Sequence, residues 1–126
     1  MTRSAERAFA IVTGGGTAGH VLPALAIADA LVADGHDRSA VHYVGSERGI
    51  EARLVPPTGY PMTLLPGRGI QRRLTVANVG AVWGLLVAIG RALRLVGRLR
   101  PSVVVAVGGY ASVAVALAAA VRRIPI

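Results

Sequence analysis

Ala10-Ile11-Val12-Thr13-Gly14-Gly15-Gly16-Thr17-Ala18-Gly19-His20-Val21-Leu22-Pro23 decides how this chain is read. A β-branched apolar run ends in glycines, and an apolar pattern of helical spacing begins at once. The stretch therefore reads as strand, tight turn and helix. Gly14, Gly16 and Gly19 satisfy G-x-G-x-x-G, in which missing side chains permit a tight turn and close approach of a phosphate to the backbone. The first amides of a helix have no acceptor within it and point at the preceding loop, which favours an anion there. His20 falls in that first turn, where the positive end of the helix dipole disfavours an imidazolium. A neutral ring beside a bound phosphate or sugar suits a general base near neutral pH. The three glycines alone fit a dinucleotide-binding turn or a loop that binds nothing equally well.

At 126 residues the chain is one domain at most. With 53% hydrophobic residues and 4% aromatic ones, its core has to be built from Ala, Val, Leu and Ile. There is no cysteine, which excludes a disulfide framework and a thiolate metal site and fits the cytoplasm. The net charge of +8 comes entirely from arginine and favours polyanionic partners: nucleic acid, acidic lipid headgroups or phosphorylated substrates. The apolar run Ala8 to Val12 is too short for a signal peptide. Ile124-Pro125-Ile126 reads as the start of a further strand, so the chain is expected to be the front part of a longer protein, inactive by itself.

Further strands are expected at Ala40–Val44, Pro61–Leu65 and Ser102–Val107, after a first at Ala8–Thr13. Helices are expected at Gly19–Asp34, within Ser46–Val55, at Thr75–Leu99 and at Ser112–Arg122. In the first helix Val21, Leu25, Ala28, Leu31 and Val32 form the apolar stripe, Pro23 is placed in the first turn and Gly35 ends it. Alternating strand and helix, with short Val-rich runs, indicates an α/β fold: a Rossmann-like parallel sheet with helices on both faces. Ligands gather at the carboxyl ends of such strands. The turns at Gly14–Gly16 and at Gly108-Gly109 both lie there. His36 and His42 are explained by a surface loop and a strand position.

Gly15-Gly16-Thr17-Ala18-Gly19-His20-Val21-Leu22-Pro23 resembles the first glycine loop of the MurG family, G-G-T-G-G-H-V-x-P, with Ala18 where that family has glycine. Gly109-Tyr110-Ala111-Ser112 is similar to its second glycine loop, G-G-Y-x-S. Gly49-Ile50-Glu51, Leu54-Val55-Pro56 and Gly59 are similar to its G-x-E, L-V-P and G stretch. The resemblance implies a partial N-terminal domain, residues 1–126, of a two-domain GT-B glycosyltransferase, its donor-binding C-terminal domain and an H-E-Q-N stretch lying beyond Ile126. It implies inverting transfer of N-acetylglucosamine from UDP-N-acetylglucosamine to undecaprenyl-diphospho-muramoyl-pentapeptide in peptidoglycan synthesis, with no cofactor and no bound catalytic metal. His20 is then the base. Gly15, Gly16, Thr17, Ala18 and Gly19, with Gly108, Gly109, Tyr110 and Ser112, are the candidates for holding the diphosphate of donor or lipid acceptor. Glu51 is a lesser candidate, equally explained as a cap or a partner of Arg53, and Tyr110 is equally explained by packing. The implied place is the cytoplasmic face of the bacterial cell membrane, as a peripheral protein.

Leu74–Gly90 and Pro101–Val121 are uncharged and approach the length of a membrane span, about 20 residues. Gly108-Gly109 interrupts the second, so strand, turn and helix is the better reading there. In the long helix Val79, Val82, Leu86, Ile89, Leu93 and Val96 share a face, assigned to the sheet. Val76, Trp83 and Val87 share another, continued by Arg91, Arg94 and Arg98, with Arg68, Arg72 and Arg73 on the preceding loop. Tryptophan grading into arginine fits the headgroup boundary of an anionic bilayer.

Two other readings compete. A Rossmann-type nucleotide-binding oxidoreductase domain would need an acidic residue about 20 positions after the glycine loop. Gly45-Ser46-Glu47 comes later than that. A basic nucleic-acid-binding module lacks stacking aromatics and any recognition motif, so nucleic acid is not expected as a partner.

Overall fold

The structure is a computed structural model and describes residues 7–66 and 76–126, over 76–78 by the backbone alone. Four strands, β1 (Ala10–Gly14), β2 (Val41–Ser46), β3 (Met62–Leu65) and β4 (Val103–Gly108), form one parallel sheet in the order β3-β2-β1-β4. Parallel neighbours require crossovers that leave one end of the sheet and return to the other. Helices α1 (Ala18–Ala33), α2 (Glu51–Leu54) and α3 (Val76–Leu99) provide them, and α4 (Tyr110–Val121) follows β4. The expected α/β architecture is therefore present.

Strand alternation sorts the core into two layers. Ile11, Val44 and Val104 point to α3 and α4, where they meet Ala88, Ala92, Leu95, Val96, Ala111, Ala114 and Ala118. Val12, Tyr43 and Val105 point to the opposite layer, packing with Val21, Ala24 and Ala28 of α1. Each fully buried valine or leucine contributes about 1.5–3 kcal/mol. At the outer edge of β4, the Val104 amide donates to the Pro125 carbonyl at 2.8 Å, so the segment read as the start of a strand already bonds to the sheet.

Two expectations are corrected. Helix α1 starts at Ala18, so Pro23 lies beyond the first turn and inside the helix, where it supplies no amide to the Gly19 carbonyl. The larger correction concerns α3. Its buried face is Ala81, Ala88, Ala92, Leu95, Val96 and Leu99, with Ile89 and Leu93 at the margin. Val79, Val82 and Leu86 point outward, 71%, 45% and 56% exposed. The sheet-facing stripe is thus turned by about 100° from the one that apolar size suggests. The reason is close approach. Alanines on α3 face alanines on α4, and larger side chains at those positions would hold the helices apart. The Arg122 guanidinium lies over Gly97, and its Nε donates to the Leu93 carbonyl at 2.9 Å, closing the same contact. By length and composition Val79–Leu99 could cross a membrane. Here its C-terminal half is packed into the α3–α4 layer.

Candidate active site

Strands β1 and β4 are neighbours, and each ends in a glycine followed almost immediately by a helix. Their register slips between Thr13 and Gly14, so that Gly14 pairs with Gly108. This slip brings the two loops together. The Gly15 amide donates to the Gly108 carbonyl at 3.1 Å. Gly109, at φ +95°, lies so near that a β-carbon on it would sit 2.4 Å from the Gly15 carbonyl oxygen. The loops form one seam of backbone.

His20 is the third residue of α1, and its ring stands at this seam, half-buried. Its Nδ1 lies 2.9 Å from the Gly15 carbonyl oxygen. A carbonyl only accepts, so this partner assigns a proton to Nδ1, and in the neutral ring the lone pair then lies on Nε2. The ring's Nε2 edge lies over Gly108: a β-carbon there would be 2.8 Å from Cδ2 and 2.9 Å from Nε2. Glycine at 108 is therefore what lets the imidazole enter the seam.

The loop is held from beneath by residues distant in sequence. Glu51, wholly buried at the start of α2, accepts the Gly16 amide on Oε2 at 3.0 Å. Its Oε1 accepts the Ser46 amide at 2.6 Å and the Ser46 hydroxyl at 2.8 Å. Gly15, Gly45 and Gly49 make room for it, because a β-carbon on any of them would fall within 2.3 Å of a Glu51 atom. Tyr43 donates its hydroxyl to the Gly14 carbonyl at 2.5 Å. Burial first, and the Glu51 charge second, push this phenol well above its ordinary range. Glu51 therefore neither pairs with Arg53 nor serves as a helix cap.

The remaining candidates divide. Thr17, Ala18 and Gly19 are exposed at the N-terminus of α1, where Thr17 makes no side-chain cap and the first turn holds no acid. Their end of the helix is open to an anion. Gly15 and Gly16, by contrast, direct their amides to Gly108 and Glu51. Ser112 is buried; its hydroxyl accepts the Gly108 amide at 3.2 Å and reaches the Thr13 and Gly108 carbonyls, tying α4 to both strands. Tyr110 packs against the α3–α4 core, and its buried hydroxyl has no hydrogen-bond partner among the described residues. Burial raises its pKa. Among the described residues no group of three or more His, Asp or Glu is placed to hold a metal.

On α3, Trp83 is 69% exposed beside Val79, Val82 and Leu86. Val87 is half-buried, and Arg91, Arg94 and Arg98 are grouped beside Thr63 of β3, around a cleft of about 140 Å³. Arg68, Arg72 and Arg73, and the side chain of Val76, lie outside the described residues. His42 bonds Thr63 Oγ1 through Nε2 at 2.8 Å, and His36 stacks on Phe9 at 3.7 Å, so both have structural partners. Sequence reasoning missed Tyr43, Ser46 and the inward direction of Glu51. The available signal was the set of glycines at 15, 45 and 49, which have a common explanation once one side chain is seen to fill their space.

The chain matches the glycosyltransferase family 28 N-terminal domain over residues 10–126. It is 45% identical over 114 residues to a UDP-N-acetylglucosamine--N-acetylmuramyl-(pentapeptide) pyrophosphoryl-undecaprenol N-acetylglucosamine transferase of Desulforudis audaxviator, covering 90% of this chain and 30% of that one. It is 42% identical over 115 residues to the like-named transferase of Myxococcus xanthus, covering 91% and 30%. The crystal structure of Acinetobacter baumannii MurG superposes with a TM-score of 0.77 at 29% identity, over 92% of this chain and 33% of that one. The chain thus spans about 30% of the length of the curated relatives it matches. A paired glycine-loop seam on a 3-2-1-4 parallel sheet, with that match over residues 10–126, places the chain in the glycosyltransferase family 28 N-terminal domain family.

Proposed function

We propose that this chain is the acceptor-side domain of an inverting transferase that moves N-acetylglucosamine from UDP-N-acetylglucosamine to an undecaprenyl-diphospho-muramoyl-pentapeptide. Donor binding then belongs mainly to sequence outside this chain. The observation that carries the reading is His20: Nδ1 is bonded to the Gly15 carbonyl, and Nε2 is left as a base at the seam of two glycine loops. In the reaction the acceptor hydroxyl oxygen bonds to the anomeric carbon as the bond from that carbon to UDP breaks. The hydroxyl proton passes to Nε2, and UDP leaves with the electron pair. A diphosphate is best received at the open amides of Ala18 and Gly19, beside the ring. No metal is required to take the proton.

An acceptor with an undecaprenyl chain stays in the bilayer, so the domain has to work at its surface. The outward patch Val79, Val82, Trp83 and Leu86, flanked by Arg91 and Arg94, suits the headgroup region of an anionic membrane. On this reading the protein is peripheral, on the cytoplasmic face. In the enzyme that carries this domain, His20→Ala is expected to lower kcat by about 10²–10⁴-fold. Near-normal turnover of that variant would remove His20 as the base.

A further inference from the structure

We infer that Glu51 positions His20, acting through the one peptide group that joins Gly15 to Gly16. The inference rests on the reading of His20 as the base. The Gly15 carbonyl and the Gly16 amide are the two ends of a single planar unit. Its N–H donates to Glu51 Oε2 at 3.0 Å, and its C=O accepts from His20 Nδ1 at 2.9 Å. Carboxylate, peptide and imidazole thus form one hydrogen-bonded chain.

The far end of this chain is fixed. Ser46 gives both its amide and its hydroxyl to Glu51 Oε1. Two backbone amides and one hydroxyl thus converge on the two carboxyl oxygens. Hydrogen bonds to an ionised acceptor are stronger than neutral ones, and burial sharpens them. Drawing on the Gly16 N–H polarises the peptide and makes the Gly15 oxygen a better acceptor for Nδ1–H. The peptide cannot turn over without losing both bonds, which keeps the proton on Nδ1 and the lone pair on Nε2. When Nε2 takes up the acceptor's proton, the charge on the ring faces a carbonyl backed by a carboxylate. A glutamine at 51 would fill the same space but turn an NH₂ towards Ser46 or Gly16, both of which are donors.

A side chain that only fills the cavity under the glycines would not govern the tautomer of a ring it does not touch. The test is ¹⁵N NMR of the His20 ring and the Gly16 amide in this chain, for the parent, Glu51→Gln and Ser46→Ala. The parent is expected to show neutral His20 as the Nδ1–H form, with the Gly16 amide proton shifted downfield. In Glu51→Gln the ring becomes a mixture of both tautomers and the Gly16 amide moves upfield, while Ala28 and Val115 keep their shifts. Ser46→Ala, which retains the carboxylate but removes one anchor, moves both signals the same way by less. Should Glu51→Gln fail to fold, Ser46→Ala decides. Parental signals in the folded variants, or an Nε2–H ring in the parent, overturn the inference.

In the enzyme that carries the domain, Glu51→Gln is expected to lower kcat about 10–100-fold with KM for the nucleotide sugar unchanged, as losses of supporting hydrogen bonds do elsewhere. A change in KM alone would reduce Glu51 to a residue that shapes the loop, and would also overturn the inference. The two ideas fail separately: an active His20→Ala enzyme removes the base, whereas tautomers insensitive to Glu51 remove only the relay.

Discussion

Gly109 and Gly15 are in backbone contact, so close that a β-carbon on Gly109 would lie 2.4 Å from the Gly15 carbonyl oxygen. The same carbonyl receives His20 Nδ1. Gly109→Ala should therefore force the loops apart and also strain a backbone at φ +95°. The expected loss is about 1–3 kcal/mol of stability, together with displacement of the His20 ring. Gly16→Ala is the control: φ is +88° there, but a β-carbon would meet nothing within 4 Å. Urea unfolding of the two variants should show the larger loss at Gly109.

The reassigned face of α3 gives a paired prediction. Ala92 is fully buried between α3 and α4, and Leu86 is 56% exposed. Ala92→Leu should wedge the helices apart and cost about 1–3 kcal/mol. Leu86→Ala should change stability by no more than about 0.5 kcal/mol. Thermal or urea denaturation checks both, and the opposite order would restore the face that apolar size alone suggests.

Membrane binding should depend on the same exposed surface. Anionic vesicles are expected to bind the chain, neutral ones to bind it less, and salt to weaken the contact. Replacing Trp83 and Leu86 together by serine, or Arg91 and Arg94 by glutamate, should reduce the bound fraction in a sedimentation assay. Equal binding to acidic and neutral vesicles would count against the proposed surface.

Alkaline pH should destabilise the domain through its buried phenols. Burial and the hydrogen bond to Asp29 raise the Tyr60 pKa from 10.0 to about 12, against a smaller opposing effect of Arg38. Tyr43 is raised as well. The folded state keeps these groups protonated to higher pH than the unfolded chain does. Their stabilisation is therefore complete below about pH 10 and is lost as pH rises through the folded pKa values. Unfolding midpoints measured between pH 9 and about 12 should fall, and the fall should be shallower in Tyr60→Phe.

Tyr110→Phe should leave stability unchanged or raise it by up to about 1 kcal/mol, because a buried hydroxyl without a partner among the described residues is removed. Calorimetry of the variant checks this. A loss above about 1 kcal/mol would show that the hydroxyl has a bonded partner.

Much of the fold was legible in the chain. Short apolar runs closed by glycine, or by Pro66-Gly67 after the third, marked all four strands to within two residues, and the two glycine loops fell at the carboxyl ends of the first and last. The register slip at Thr13/Gly14 carried no local signal, since it arises from pairing with a strand some ninety residues later. The face of α3 was misread because hydropathy ranks valine and leucine above alanine, whereas the gap between two close helices admits alanine.

Local sequence determined what short-range sterics can dictate: where β1 stops, where α1 begins, and that His20 stands in the first turn beside an open row of amides. The tautomer of His20, the burial of Glu51 and the junction of the two loops were decided by the tertiary structure. Those features depend on atoms brought together from residues 15, 46, 51 and 108, and a hydrogen bond or a close contact exists only once the sheet has placed its partners within about 3 Å.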